Sequence, residues 1–210
     1  TILKHNYDET DFKAALQIAF EHDNTVLIEK FIPGREFRIF IINDEVVGIL
    51  HRVPANVTGD GVLNIGQLID RKNEDPLRGK GYRTPLEKIR KGREEEMFLK
   101  QQGMDFNTVP KEGEVVYLRE NSNISTGGDS IDFTDDIDDS YKAIAVEAAK
   151  ALNVKITGLD MMIQDIHAPA TPDNYAIIEM NFNPAIHIHC YPFKGKNRHL
   201  NHKMIRALGF

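Results

Sequence analysis

The chain has 210 residues, of which 41% are hydrophobic and 28% charged, the mix of an ordinary soluble globular domain or two small lobes. A net charge of −6 gives no general reason to expect nucleic-acid binding, and no apolar run approaches the roughly 20 residues that span a bilayer. The single cysteine, Cys190, excludes an internal disulfide framework and, with no signal-peptide pattern at the start, favours a reducing cytoplasm.

Residues 9–22 read as an amphipathic helix, with Thr10 as its N-cap and Phe12, Ala15, Leu16, Ala19 and Phe20 on one face. TVLIEKFI, residues 25–32, reads as a mainly apolar strand closed by a turn at Pro33-Gly34. EFRIFII (36–42) and VVGILHRV (46–53) are two further strands, joined by a tight polar turn at Asn43-Asp44-Glu45. A Gly-containing loop over 55–61 leads to a short helix, 62–70, that buries Leu63, Leu68 and Ile69.

A basic loop follows with Arg71, Lys72, Arg78, Lys80 and Arg83, readable either as solvated surface or as an anion-facing lid. Thr84-Pro85-Leu86-Glu87 has the form of a capping box with proline at the first helical position. It predicts a helix running to Gln102, weakened at Gly92 and ended by Gly103. VVYL, 115–118, is a strand leading into Arg119. NISTGGD, 123–129, is a flexible loop whose free N–H groups suit an anion-binding concavity, or a plain hairpin tip. Arg119 suits bidentate pairing with a carboxylate or phosphate, or a structural role. The P-loop pattern GxxxxGK[ST] is absent. Six aspartates between 129 and 139 read as a solvated connection whose last members cap a helix over 140–152.

Residues 156–184 carry the densest chemistry. ITGLDMMIQ and YAIIEMNFNP are two apolar runs, each with a carboxylate in its middle: Asp160 and Glu179. An ionised carboxylate in such a run is costly unless paired or metal-bound. Side chains alternate along a strand, so Glu179 and Asn181 point the same way, about 7 Å apart. Paired as a hairpin, the runs add Asp160 to that face. Two carboxylates and an amide oxygen suit Mg²⁺, and a salt-bridged hairpin is the alternative. The histidines that follow, His187, His189, His199 and His202, with Cys190, match no common zinc spacing. HxHC on a strand splits His187 and His189 from Cys190. A short helix over 200–208 ends the chain. Strands interleaved with helices, several in hairpins, make the class α+β with a mostly antiparallel sheet.

Near residue 30, Glu29-Lys30-Phe31-Ile32 and then Glu36 offer a strand end with free backbone groups for an adenine edge, and an acid for ribose hydroxyls. An ordinary strand and turn accounts for the same residues.

In order, LIEKFIPGREFRIFII, HRVPANVTGDGVLNIGQLI, NEDPLRGKGYRTPL, LRENSNISTGGDSIDFT, TGLDMM and IIEMNFNP resemble the ATP-grasp superfamily. More narrowly they resemble the glutathione-synthetase module of bacterial bifunctional glutamate–cysteine ligase/glutathione synthetases, with cyanophycin synthetase a close relative. The resemblance implies an ATP-grasp C-terminal lobe, with the N-terminal lobe missing from residues 1–210. It implies Asp160, Glu179 and Asn181 as ligands of Mg²⁺, two ions with Mn²⁺ able to substitute. It implies Glu29, Lys30, Ile32 and Glu36 as ATP contacts, and Arg119 and Asn123 facing the transferring phosphoryl group and the substrate carboxylate. Arg38 and Arg52 stand behind these as second candidates. The implied reaction joins γ-glutamylcysteine and glycine at the expense of ATP through an acyl phosphate. Implied partners are a covalently linked glutamate–cysteine ligase domain and, as one assembly, a homodimer. Nucleic acid and membrane are not expected. The alternatives are a cyanophycin-type or dipeptide ligase, and a non-catalytic metal- or nucleotide-binding module built on the histidines.

Overall fold

A computed structural model describes residues 9–28, 30, 32–81 and 83–210. The chain forms two compact units, Thr1–Pro33 and Gly34–Phe210. In the first, α1 spans Glu9–Phe20 within the predicted 9–22, and Thr10, expected as its N-cap, lies inside the helix. Of the predicted strand over 25–32, the described residues have no regular structure, and Leu27 and Ile28 are exposed; residues 29 and 31 lie outside the described residues. A strand is stabilised by a ladder partner, and no sheet among the described residues includes these positions.

The second unit contains β1 (Arg35–Ile42), β2 (Glu45–Val53), β3 (Asn56–Thr58), α2 (Ile65–Lys72), β4 (Arg78–Gly79), β5 (Leu86–Glu87) and α3 (Arg93–Gln101). It continues through β6 (Val115–Tyr117), β7 (Asp129–Asp132), α4 (Asp139–Ala151), β8 (Ile156–Ile163), β9 (Tyr175–Asn181), α5 (His187–Cys190) and α6 (Leu200–Ala207). Five strands form one sheet in the order β7-β2-β1-β8-β9, with each neighbouring pair antiparallel. The fold is α+β with a mostly antiparallel sheet.

The alternation of EFRIFII sorts the two faces of that sheet. Phe37, Ile39 and Ile41 join Leu159, Met161 and Ile163 against Tyr141, Ala145 and Ala149 of α4. On the other face, Phe40 and Ile42 pack with Val47, Cys190 and Leu200 beneath the C-terminal helices. Glu36 and Arg38 continue this second face toward the other end of β1, and the charged site lies there. A separate core joins α2, α3, β3 and β6 through Ile65, Ile69, Leu99, Val57 and Val116.

Several expectations are corrected. The stretch 84–102 is not one helix, because Leu86 and Glu87 pair in parallel with Arg78 and Gly79, burying Leu86. The helix starts only after Gly92, where the Glu95 carboxylate accepts the Gly92 N–H at 2.9 Å. Residues 56–58 of the predicted loop form a strand with β6. Asp129–Asp132, predicted as a solvated connection, is an edge strand on β2. His187–Cys190, in what the sequence reads as a His-rich loop, forms a helical turn.

Candidate active site

The register across the sheet assembles the site. Arg38 on β1 faces Asp160 on β8, and Asp160 faces Glu179 on β9. Gly158, two residues before Asp160, faces Asn181. Directly opposed residues of antiparallel strands share a face, so Asp160, Glu179 and Asn181 lie on the same side as Arg38. A Cβ on Gly158 would come within 2.8 Å of Pro184 Cβ and 3.0 Å of Arg38 Cδ, so glycine leaves room for the arginine to lie across β8.

Asp160 is buried at 2% exposure. Its Oδ2 accepts from Arg38 Nη2 at 2.8 Å and from Arg52 Nη2 at 2.9 Å, while Arg38 Nε donates to Oδ1. Burial alone would raise this carboxyl. The Arg38 hydrogen bond and the charges of Arg52 and Arg38 outweigh it and hold the group below the usual carboxylate range. Arg52 also pairs with Glu36, whose other oxygen accepts from the Ser122 hydroxyl. The result is a ladder of alternating charge, Glu36–Arg52–Asp160–Arg38, with Arg52 Nε buried and unpartnered.

Glu179 differs from Asp160. It is exposed, its Oε1 accepts from Asn181 Nδ2 at 2.9 Å, and it has no cationic partner among the described residues. That bond turns the Asn181 amide oxygen away from Glu179, and the second carboxylate oxygen has no hydrogen bond among the described residues. Tested as a donor set, the trio fits a hard divalent cation: Glu179 and Asn181 present oxygens, and Asp160 has about one of its four lone-pair sites left. Among the described residues no group of three or more His, Cys, Asp and Glu is placed to hold a metal, which removes support from a zinc site on the histidines.

Arg38 and Arg52 line a cleft of about 180 Å³ whose other walls are Pro85 and Glu87, Asn123 to Ser125, and His187. Two guanidiniums and an amide in one cleft suit anionic oxygens. Asn123 therefore joins the sheet face. Arg119 does not line this cleft: it donates from Nε to Glu95 Oε1 at 2.6 Å and pairs with Glu94, fastening the end of β6 to α3. Lys30 and Ile32 lie in the N-terminal unit without regular structure, and Glu29 lies outside the described residues. Ser122 bonds Glu36 and His187 lines the cleft; of the two, the sequence singles out only His187, as one of its C-terminal histidines. Ser122 sits in the polar run Arg119–Asn123, and nothing in its spacing marks it as the partner of Glu36.

No protein-family model matches the chain. It is 62% identical over 210 residues to the glutathione biosynthesis bifunctional protein GshAB of Desulfotalea psychrophila, covering 100% of this chain and 27% of that protein. It is 56% identical over 208 residues to the protein of the same description from Clostridium perfringens, again 27% of its length. The crystal structure of a bifunctional glutathione synthetase from Pasteurella multocida superposes with a TM-score of 0.80 at 46% identity, over 96% of this chain and 28% of that one. The chain thus spans about a quarter of the length of the relatives it matches. No helix among the described residues is long and apolar enough to cross a membrane. Along its whole length the chain is similar to about a quarter of the length of bacterial bifunctional glutathione biosynthesis proteins, and it shares the fold of that part of the Pasteurella multocida glutathione synthetase.

Proposed function

We propose that the chain supplies the metal- and phosphate-facing half of an ATP-dependent carboxylate–amine ligase that makes glutathione from γ-glutamylcysteine and glycine. The observation that carries this reading is the register that sets Asp160 opposite Glu179 and Gly158 opposite Asn181, beside two guanidiniums that line a cleft.

In this reading Asp160, Glu179 and Asn181 hold Mg²⁺, for which Mn²⁺ substitutes. When bound, Mg²⁺ neutralises charge on the phosphate oxygens. Arg38, Arg52 and Asn123 hold anionic oxygens of the substrates and stabilise the charge that develops on the transferring phosphoryl group. Arg38 and Arg52 line the cleft and Arg119 does not, so in this reading they stand before Arg119 in the guanidinium role expected of it. Glu36 accepts from the ribose, and Glu29, Lys30 and Ile32 flank the adenine. A substrate carboxylate oxygen attacks the γ-phosphorus, the bond to ADP breaks, and an acyl phosphate forms. The glycine amine then attacks the acyl carbon, loses a proton, and phosphate leaves. The rest of the parent protein contributes the N-terminal ATP-grasp lobe and the glutamate–cysteine ligase, in a reducing cytoplasm, with a homodimer as one assembly.

The test is ADP release by the full-length protein. Turnover that needs both γ-glutamylcysteine and glycine supports the reading. Turnover with aspartate or arginine in their place, and none with glycine, assigns the cyanophycin-type reaction instead.

A further inference from the structure

Arg78 comes from the basic loop, but it is not on the surface: it is 4% exposed. Its guanidinium is forked between three segments. One nitrogen, Nη1, donates to the main-chain carbonyl of Glu87 at 2.8 Å and to that of Gly127 at 3.0 Å. The other, Nη2, pairs with the buried Asp129 of β7. Asp129 in turn accepts from Lys72 Nζ at 2.6 Å and from Asn56 Nδ2 at 3.0 Å. Lys72 and Arg78 both lie over the Phe193 ring, at 5.2 and 5.5 Å from its centroid.

Of the two carbonyls held by one nitrogen, one belongs to Glu87, which lines the cleft with Arg38 and Arg52, and the other to Gly127, two residues beyond Ser125 of the same lining. Glu87 is in the wall that includes Pro85. Gly127 closes the 3-10 turn Ile124–Thr126, which with Asn123 makes the other wall. Gly127 has φ +96°, and a Cβ there would stand 2.8 Å from Ile89 Cα, so the turn ends pressed against the chain that leads out of β5. Burial depresses both Lys72 and Arg78, with Asp129 opposing it, as expected for cations taken out of water to serve a structural join.

We infer that Arg78 is a positioning residue for this cleft: its single Nη1 bridge between Glu87 and Gly127 sets the spacing of the two walls, and with it the place of Asn123 against the anionic oxygens of the substrate. The inference rests on the proposed function for which substrate is placed, and on the geometry alone for the bridge. Lysine cannot reproduce it, because an ammonium is a point charge without a planar fork.

The experiment is calorimetric titration of the full-length protein with inorganic pyrophosphate and Mg²⁺, comparing the parent with Arg78→Lys and Phe193→Leu, and measuring ligase KM and kcat beside it. A merely structural role lowers the fraction of protein that binds and leaves Kd unchanged. A positioning role raises Kd by about tenfold, since misplacement by about 1 Å is costly, at full stoichiometry. The ligase KM for an anionic substrate rises with it, more than kcat falls. Phe193→Leu keeps every hydrogen bond of Arg78 and removes only the ring beneath it, so a twofold to threefold rise is expected even if Arg78→Lys fails to fold. Unchanged Kd in both variants overturns the inference, and so does a parent that binds no pyrophosphate. A parent that binds pyrophosphate but makes no glutathione, with the Arg78→Lys loss intact, overturns the ligase reading and leaves Arg78 in its role.

Discussion

β8 and β9 are the two strands of one hairpin, each an apolar run with a carboxylate near its middle, yet their surroundings differ throughout. β8 has β1 on one side and β9 on the other and is buried along nearly its whole length. β9 is the last strand of the sheet, and Ile177, Ile178 and Glu179 are exposed, Ile178 at 54%. Asp160 is therefore enclosed by arginines that neutralise it, whereas Glu179 keeps an open oxygen. The same sequence pattern yields a fixed anion on one strand and an available ligand on the other. Place in the sheet, not composition, decides which. The division of labour fits a metal site that needs both a rigid anchor and an accessible donor.

Breaking the anchor gives the largest expected effect. Asp160→Ala leaves Arg38 and Arg52 facing one another with one carboxylate fewer, and removal of one partner of a buried ion pair costs about 3–5 kcal/mol. Denaturant unfolding of the variant reads this directly, and a loss below about 1 kcal/mol shows that the ladder does not hold the face together. The carboxyl is held below its ordinary value in the fold, so its stabilising share is present above the unfolded value near pH 4. That share is lost as pH falls through the lower folded value, and the variant lacks this acid limb.

Next comes the buried apolar side of the same strand. Leu159 is fully buried in the core beneath α4, and Leu159→Ala should cost about 2–5 kcal/mol by transfer and cavity together. His189 gives a smaller, pH-dependent effect. It is fully buried with neither ring nitrogen partnered among the described residues, and burial, then Arg38, lowers its pKa to about 3. The unfolded chain takes up its proton near pH 6.5, so the fold loses stability as pH drops from there toward 3. His189→Leu should be neutral or stabilising at pH 7 and should gain a further ~2 kcal/mol over the parent by pH 5, at about 1.36 kcal/mol per pH unit. His51, lowered to about 4 mainly by burial, leaves part of the acid slope in place. Equal pH slopes for variant and parent remove His189 from this account. Ile178→Ala on β9 gives the smallest effect, within about 0.5 kcal/mol, as for an exposed position. A cost like that of Leu159→Ala shows that β9 is covered in the protein.

The sequence was most legible where one periodicity served one surface. EFRIFII, VVGILHRV and the hairpin runs are short apolar stretches bounded by turn residues, and the structure has β1, β2, β8 and β9 at those places. α4 follows its apolar stripe. Legibility failed where the partner was far away in the chain. Asp129 and Asp132 look like solvated charges until Arg78, Lys72 and Arg198 reach them across 51, 57 and 66 residues. Thr84 to Glu87 satisfies a local capping rule, but burying Leu86 beside Arg78 outweighs it. Of the proposed site, the acids and the amide stand out in the sequence as polar groups in apolar runs. The arginines that neutralise Asp160 were harder to rank, because an arginine on a strand reads equally well as ligand holder or as solvated edge.

The most direct measurement is Mn²⁺ binding to the full-length protein with ADP, followed by electron paramagnetic resonance, for the parent, Glu179→Ala and Ile178→Ala. Since even outer partners of a metal site are worth 10–100-fold in affinity, Glu179→Ala should weaken Mn²⁺ by at least about tenfold while its melting curve stays with the parent and Ile178→Ala binds normally. Parental Mn²⁺ affinity in Glu179→Ala would contradict a metal held jointly by Asp160, Glu179 and Asn181.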